Sequence, residues 1–428
     1  MSFREEEDES NQNLFKYKNA YIQKHIPKKL QNILIERELP FDYYYHTKYD
    51  STGRYKLVYN SQGYQSVIDT KKDKLQYEQE ISDHVYDGTF LHNELYTALA
   101  QNKAVYTYKQ GVETQCIREL KNMRKISFMP YHFLLTCLQN DGVIKYFDTS
   151  IGKVVATVDS QFNNNSYSKS TASSPEKTKL YGKKSKTNGS FNYCLEINPA
   201  NGITYIGHQN GTVTLHKPSQ KEYILKVLCH TSLVKNIQID RTGNYMITNG
   251  IDNVIKIWDI RNLYQSYNKI DTQTNHEFLK LSHNNYLATG FKNKIHIYKD
   301  IFNTNYKNIE DALHMQETTH GSLVRSLCYC PYQDILSAGH THGFKSLIVP
   351  GSGDPIFDSC EDTPFRTKKQ RQNLEVRRLL EKIPFELISE ENDIIGKFKF
   401  DSNVNKEPVI VKKQEYREKT ALDRFYNE

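Results

Sequence analysis

The sequence predicts an all-β fold, a seven-bladed β-propeller flanked by helical extensions at its N- and C-terminal ends. Two observations carry that prediction. A unit of three short strands, separated by Asn/Asp/Gly-rich turns, recurs seven times at an average spacing near forty residues, which is the period of a propeller blade. Outside those units the apolar period changes from 2 to 3.6, so the ends read as helix.

The 428-residue chain is long enough for one large repeat domain or two to three ordinary ones. Only 37% of it is hydrophobic while 31 residues are Tyr, so the core must be built partly from amphipathic rings. The net charge of +7 permits an anionic partner without demanding one. No apolar run approaches the ~20 residues of a membrane-spanning helix. The best candidate, Phe128 to Leu138, is interrupted by Pro130 and His132. The acids Glu5 to Glu9 are the opposite of a signal or transit peptide. The seven cysteines form an odd set without Cys-x-x-Cys, and read as reduced thiols of a cytosolic or nuclear protein. Cys328 and Cys330 with His340 and His342 lack zinc-ligand spacing.

In chain order, residues 1–46 open with the acidic cluster. They continue as a basic amphipathic helix in which Ile22, Ile26, Leu30, Ile33 and Leu34 recur at helical spacing, with Pro40 as its stop. The propeller is expected over 47–349. Its clearest units are RKISFMPYHFLLTCLQNDGVIKYFDTSIG (124–152), YCLEINPANGITYIGHQNGTVTLHKP (193–218) and SLVKNIQIDRTGNYMITNGIDNVIKIWDIR (232–261). Weaker copies fall at 47–72, 81–120, 273–300 and 320–349. The Ser- and Lys-rich stretch 159–190 cannot bury enough apolar surface to order itself. It reads as a disordered insertion, either simply solvated or touching phosphate transiently.

One unit resembles the WD repeat in detail. His230, Thr248, Asp252 and Trp258 stand at the spacing of that repeat's structural tetrad, and Trp258-Asp259 is its signature dipeptide. The tetrad implies a chain of hydrogen bonds running from Asp252 through His230 and Thr248 to the indole. Such a chain satisfies buried polar groups and supplies no catalytic set. The unit at 124–152 ends instead in Phe147-Asp148 and that at 193–218 in Leu215-His216.

Catalytic and cofactor signatures are lacking: no phosphate-binding GxxxxGK[ST], no GxSxG, no HExxH and no GxGxxG after a strand. Gly351-Ser352-Gly353-Asp354 reads as a linker turn. His340-Thr341-His342 could suit a metal but falls where a blade makes a turn. Glu390-Glu391 has nothing around it to raise a carboxyl pKa. The expectation is therefore a non-enzymatic protein without cofactor or small-molecule substrate.

The informative stretch is 349–388, which opens a C-terminal domain expected over 350–428 and ending in a polar tail. A helix is expected at about 366–387, with Thr367 and Gln370 as a capping box and Pro384 disturbing its end. Val376, Leu379, Leu380, Ile383 and Leu387 form one apolar stripe, expected to dock on protein. Arg366, Lys368, Lys369, Arg371, Arg377, Arg378 and Lys382 oppose only Glu375 and Glu381, a net +5. That face suits RNA or an acidic partner, or is merely solvated. If guanidiniums bridge phosphates, Arg371, Arg377 and Arg378 are the preferred contacts.

The stretch PGSGDPIFDSCEDTPFRTKKQRQNLEVRRLLEKIPFELI resembles the C-terminal domain of a family of nucleolar WD-repeat proteins of the small-subunit processome. MPYHFLLTCLQNDGVIKYFDTSIGKVV (129–155) and NPANGITYIGHQNGTVTLHKP (198–218) resemble the same family. The resemblance implies a scaffold for maturation of small-subunit (18S-type) pre-ribosomal RNA in the nucleolus. Its implied partners are other processome proteins, including other WD-repeat propellers, together with pre-ribosomal RNA and a box C/D small nucleolar RNA particle. No membrane is implied. Against the family pattern the N-terminal extension is short, 159–190 is inserted and the tail after 390 is brief. The rival reading is a WD-repeat adaptor outside ribosome assembly, such as a ubiquitin-ligase substrate receptor or a trafficking coat subunit.

Overall fold

A computed structural model describes residues 37–39, 43–160, 194–272, 276–302, 312–319, 322–358 and 362–388. Among them stand seven antiparallel four-stranded sheets arranged as the blades of a propeller. Blades 1 to 6 span 45–80, 85–117, 123–159, 194–228, 234–271 and 278–318. Blade 7 takes three strands from 324–348 and its fourth from Arg37–Glu38. The innermost strands are Tyr45–Tyr49, Val85–Phe90, Met123–Met129, Cys194–Ile197, Val234–Ile239, Phe278–Leu281 and Val324–Tyr329. Each packs against the innermost strand of the next blade, and the last against the first, so they line a central channel.

The core lies between blades, because a twisted sheet buried on both faces must find its apolar partners on its neighbours. Ala98, Val105 and Ile117 of blade 2 meet Ile126, Leu135 and Phe147 of blade 3. Leu138, Tyr205, Ile206, Val234 and Trp258 join blades 3, 4 and 5. Tyr45, Tyr59, Tyr146 and Tyr205 are fully buried, as the low aliphatic content requires. Two of these hydroxyls bond across blades: Tyr59 donates to Asp87 at 2.7 Å and Tyr146 to Thr204 at 3.0 Å.

Blades have four strands where the sequence pattern showed three. The outermost strands, such as Lys74–Glu80 and Val112–Ile117, are largely exposed on both faces. They carry no apolar alternation, hence no signal in a reading that rests on it. The first unit accordingly extends to 80 and not 72.

A second difference lies at the N-terminal side. The stretch 1–46 was expected to be an acidic start and a helix. Yet Arg37–Glu38 is a strand, paired Arg37 to Phe344 and Glu38 to Gly343, and blade 1 already begins at Tyr45. Two residues have no readable period, so only the partner edge reveals them. The residues expected to form the N-terminal helix, and most of the 159–190 insertion, lie outside the described residues.

Closure of the ring is supported from blade 1. The Lys56 ammonium crosses to blade 7, 3.1 Å from the Ser346 hydroxyl and 3.8 Å above the Phe344 ring. Burial pulls its pKa down to about 7. Leu39 continues the closing strand by donating its N–H to the His342 carbonyl at 2.8 Å.

A Cβ at Gly343 would lie 2.0 Å from the Arg37 carbonyl oxygen. Gly343→Ala should therefore expel the closing strand and cost about 1–3 kcal/mol. Thermal melting and loss of amide-exchange protection across blade 7 check this. Unchanged melting would mean the strand does not hold the ring.

Candidate functional site: the C-terminal strap

Each innermost strand ends at one rim of the ring, where short loops lead to the second strand. The chain leaving blade 7 runs along that rim and touches every blade. Gly353 donates its N–H to Asp334 at 2.8 Å, and Asn284 of blade 6 donates to the Gly353 carbonyl at 2.6 Å. Arg241 of blade 5 pairs with Asp354 at 2.9 Å, and Tyr332 of blade 7 donates to Asp362 at 2.6 Å. Gly351-Ser352-Gly353-Asp354 is thus the anchored start of a strap. Arg54 of blade 1, itself paired with Asp69 at 2.8 Å, donates to the Pro364 carbonyl at 2.7 Å.

The helix α1 (Lys368–Leu380) then crosses blade 2. Thr367 and Gln370 form the capping box: the Gln370 N–H reaches the Thr367 hydroxyl, and the Thr367 N–H reaches the Gln370 side chain at 2.9 Å. The helix is shorter than the 366–387 stretch expected, ending at Leu380 with Glu381 as its C-cap, and a single 3-10 turn follows at Phe385–Leu387. Pro384 opens that turn.

Contacts with the propeller come from the polar face of α1. Arg371 pairs with Glu94 at 2.7 Å, and Glu375 accepts from His92 at 3.2 Å and Asn93 at 2.9 Å. Arg378 donates to the His92 carbonyl at 3.1 Å, and Leu374 is the buried residue of the helix. Lys382 pairs with Asp148 of blade 3 and donates to Ser150 at 2.7 Å. Burial alone would raise the Asp148 pKa; the bonds from Lys382 and Ser150 outweigh it and hold the carboxyl below its usual range. Burial lowers the His92 pKa, opposed by Glu375. Beyond the helix, the Ile383 N–H donates to the Tyr131 carbonyl at 3.0 Å, and Ile388 is buried among Met129, Ile203 and Ile239 of blades 3 to 5.

This arrangement divides the expected basic face. Arg371, Arg378 and Lys382 face their own propeller, so two of the three preferred phosphate contacts are engaged within the molecule. Arg377 pairs with Glu381 at 2.8 Å on the exposed side. Arg366 flanks the helix and Lys368 and Lys369 open it; both lysines are exposed. The apolar stripe is not docked on the propeller: Val376 is 57% exposed, Leu379 43%, Leu380 82% and Ile383 39%. The physical reason is the chemistry of the rim, whose Glu94 and Asp148 carboxylates and backbone carbonyls match guanidinium and ammonium groups and not Leu.

The WD tetrad forms inside blade 5. Asp252 accepts from His230 Nδ1 at 3.0 Å, and His230 Nε2 and the Trp258 indole N–H meet the Thr248 hydroxyl at 2.9 and 3.0 Å. His230, Thr248 and Trp258 are buried, and burial lowers the His230 pKa against the pull of Asp252. Blade 4 sets His208 and His216 on either side of Thr214, at 2.7 and 2.8 Å. His340 is buried and bonds the His342 backbone N–H, and Cys330 donates to the Gly53 carbonyl. Among the described residues no three His, Cys, Asp or Glu side chains group as metal ligands. Sequence reasoning missed the acceptors Glu94 and Asp148 and the donor Arg54. Glu94 and Arg54 lie in blade loops and Asp148 ends the third strand of blade 3, and only the ring brings them beneath the strap.

A closed propeller stabilised by this tetrad defines a WD-repeat protein, and its seven-bladed body gives the strap a continuous rim to lie on. Residues 221–259 match the WD domain, G-beta repeat, and 313–391 match the BING4CT (NUC141) domain. The second match takes in the outer strand of blade 6, the three strands of blade 7 within 324–348 and the strap. The chain is 34% identical over 347 residues to WD repeat-containing protein 46 of Homo sapiens, covering 80% of this chain and 52% of that protein. It is 32% identical over 366 residues to the Caenorhabditis elegans protein of the same name, covering 85% and 57%. It is 31% identical over 364 residues to U3 small nucleolar RNA-associated protein 7 of Saccharomyces cerevisiae, covering 82% and 61%. The chain belongs to the family of WD-repeat proteins that carry a BING4CT domain. It spans between half and two thirds of the length of these relatives.

Arg371→Glu places a second carboxylate against Glu94 and should loosen α1, read as faster limited proteolysis within 366–388. Glu94→Arg in the same chain should restore protection, and no rescue would show that the pair does not seat the helix. Asp252→Ala should cost about 1–3 kcal/mol in blade 5 by leaving His230 without its acceptor. Melting equal to wild type would remove the tetrad's structural role.

Proposed function

We propose that this protein is a non-enzymatic scaffold in ribosome biogenesis, a component of the nucleolar small-subunit processome needed for maturation of small-subunit pre-ribosomal RNA. The observation that carries the reading is the strap. The BING4CT segment reaches all seven blades and, through its polar contacts, holds α1 with Val376, Leu379 and Leu380 outward, and Ile383 exposed just beyond it. A closed propeller is a rigid body with many loops, suited to holding several partners at once. One relative's name associates it with U3 small nucleolar RNA, which supports a box C/D particle and pre-ribosomal RNA as neighbours. Other processome proteins, including other WD-repeat propellers, are the proposed occupants of the apolar stripe. Burying one such side chain contributes about 1.5–3 kcal/mol, whereas RNA offers no equivalent groove. Arg366, Lys368, Lys369 and Arg377 are the proposed contacts of this helix to phosphate or an acidic segment.

Depletion should stall small-subunit RNA maturation and spare large-subunit RNA, measured by pulse labelling; normal 18S-type RNA after efficient depletion would refute the reading. Leu380→Asp, at an exposed position, should leave melting unchanged and shift the protein from particle to free fractions on a gradient. Full retention in the particle would show that the stripe is not its docking surface.

A further inference from the structure

The strap occupies the rim where the innermost strands end, so a partner approaching the channel axis meets the opposite rim, where they begin. There, four innermost strands bulge at the same point. In each, one residue is left out of the pairing with the second strand: Tyr86 in blade 2, Arg124 in blade 3, Lys235 in blade 5 and Arg325 in blade 7. A bulge re-aims the extra side chain and bends the strand. That three of the four are cationic is a pattern blade packing does not require.

Blades 7, 1, 2 and 3 are consecutive around the ring, and at this rim they meet in two pairs, blade 7 with blade 1 and blade 2 with blade 3. The Arg325 guanidinium lies 4.0 Å from the ring centroid of Tyr44, which precedes the innermost strand of blade 1. The Arg124 guanidinium lies 4.2 Å from the Tyr86 centroid, and His84 meets the same ring edge-on at 5.1 Å. The arc therefore reads Arg325, Tyr44, Tyr86, Arg124. Glu277, 3.6 Å from Arg325, is the carboxylate beside it. Deeper in the same strands, Lys48 pairs with Asp87 at 2.9 Å, while Lys125 is exposed.

We propose that this arc at the channel mouth, Arg325, Tyr44, Tyr86 and Arg124, is a binding site for single-stranded RNA. The inference deepens the scaffold reading above and rests on it. A guanidinium held over a ring is already ordered, and its N–H donors remain suited to phosphate oxygens. The rings give planar faces on which unpaired bases stack, the mode by which single strands are bound with little sequence preference. An acidic peptide would use the charges but has no need of the two tyrosines. That difference favours RNA and makes it testable.

The full chain is titrated against a fluorescent oligouridylate of about twelve nucleotides, read by anisotropy at several salt concentrations. The Tyr44→Leu/Tyr86→Leu double variant, with wild-type melting as its control, should bind at least about tenfold more weakly, because both stacking rings are lost. Arg124→Ala/Arg325→Ala should flatten the salt slope by about 1.4, the loss of two phosphate contacts. Undiminished binding by the tyrosine variant, with displacement of RNA by polyglutamate, would make the mouth an acidic-peptide site and overturn the proposal. Absence of wild-type binding would overturn it too. If the wild-type chain still sediments with small-subunit precursors in that case, only the mouth proposal falls. Failure of that sedimentation is a failure of the scaffold reading.

Discussion

The structure depends on closure of the ring. Each blade buries its faces only against its neighbours, so an open ring would leave two apolar faces and one sheet edge in water. The closing junction holds the packed innermost strands of blades 1 and 7, an apolar cluster of Tyr45, Val58, Tyr64, Ile68 and Phe344, a buried lysine reaching across, and a two-residue strand, Arg37–Glu38, on the edge of blade 7. Gly343 is what lets the closing backbone approach. Once the ring is shut, the sequentially distant Glu94, Asp148, Arg54 and Arg241 stand on one rim, and a strap that reaches all seven blades becomes possible.

Inside the blades, buried polar groups are bonded by local and unequal means. Blade 5 uses the full tetrad ending on the chain's single tryptophan. Blade 4 uses a threonine between two histidines, and blades 1 and 2 share Gln65, which donates to Thr97 at 2.8 Å. These are different answers to one constraint, that an unpaired buried donor or acceptor costs more than the bond itself contributes. The divergence of signature residues among blades therefore leaves the architecture intact.

The strap shows how a helix with two candidate faces chooses between them. Within α1, Arg371, Leu374, Glu375 and Arg378 form one row and Val376, Leu379 and Leu380 another, the two lying roughly 140° apart. The rim offers carboxylates and carbonyls, so the polar row turns inward. Exposed ion pairs contribute only about 0–1 kcal/mol each. The seat is consequently a sum of weak contacts, bracketed by the Gly353 turn and by Ile388 in the core. A loosely additive attachment of this kind keeps an apolar row in water without the propeller absorbing it.

The sequence by itself determined the blade period, the tetrad of His230, Thr248, Asp252 and Trp258, and the capping box at Thr367. All three are local: a period of two, a spacing within one hairpin unit, a pair three residues apart. The tertiary structure alone decided the fourth strands, the closing strand at Arg37–Glu38 and the direction in which α1 faces. Outer strands such as Lys74–Glu80 are wet on both sides and leave no apolar pattern to read. The closing strand is defined by the edge it completes, 305 to 307 positions away in the chain by its pairs Arg37 with Phe344 and Glu38 with Gly343. The inward face of α1 is set by His92, Asn93 and Glu94, a loop that a reading of the helix cannot see, because it becomes the helix's neighbour only when seven blades close into one rim.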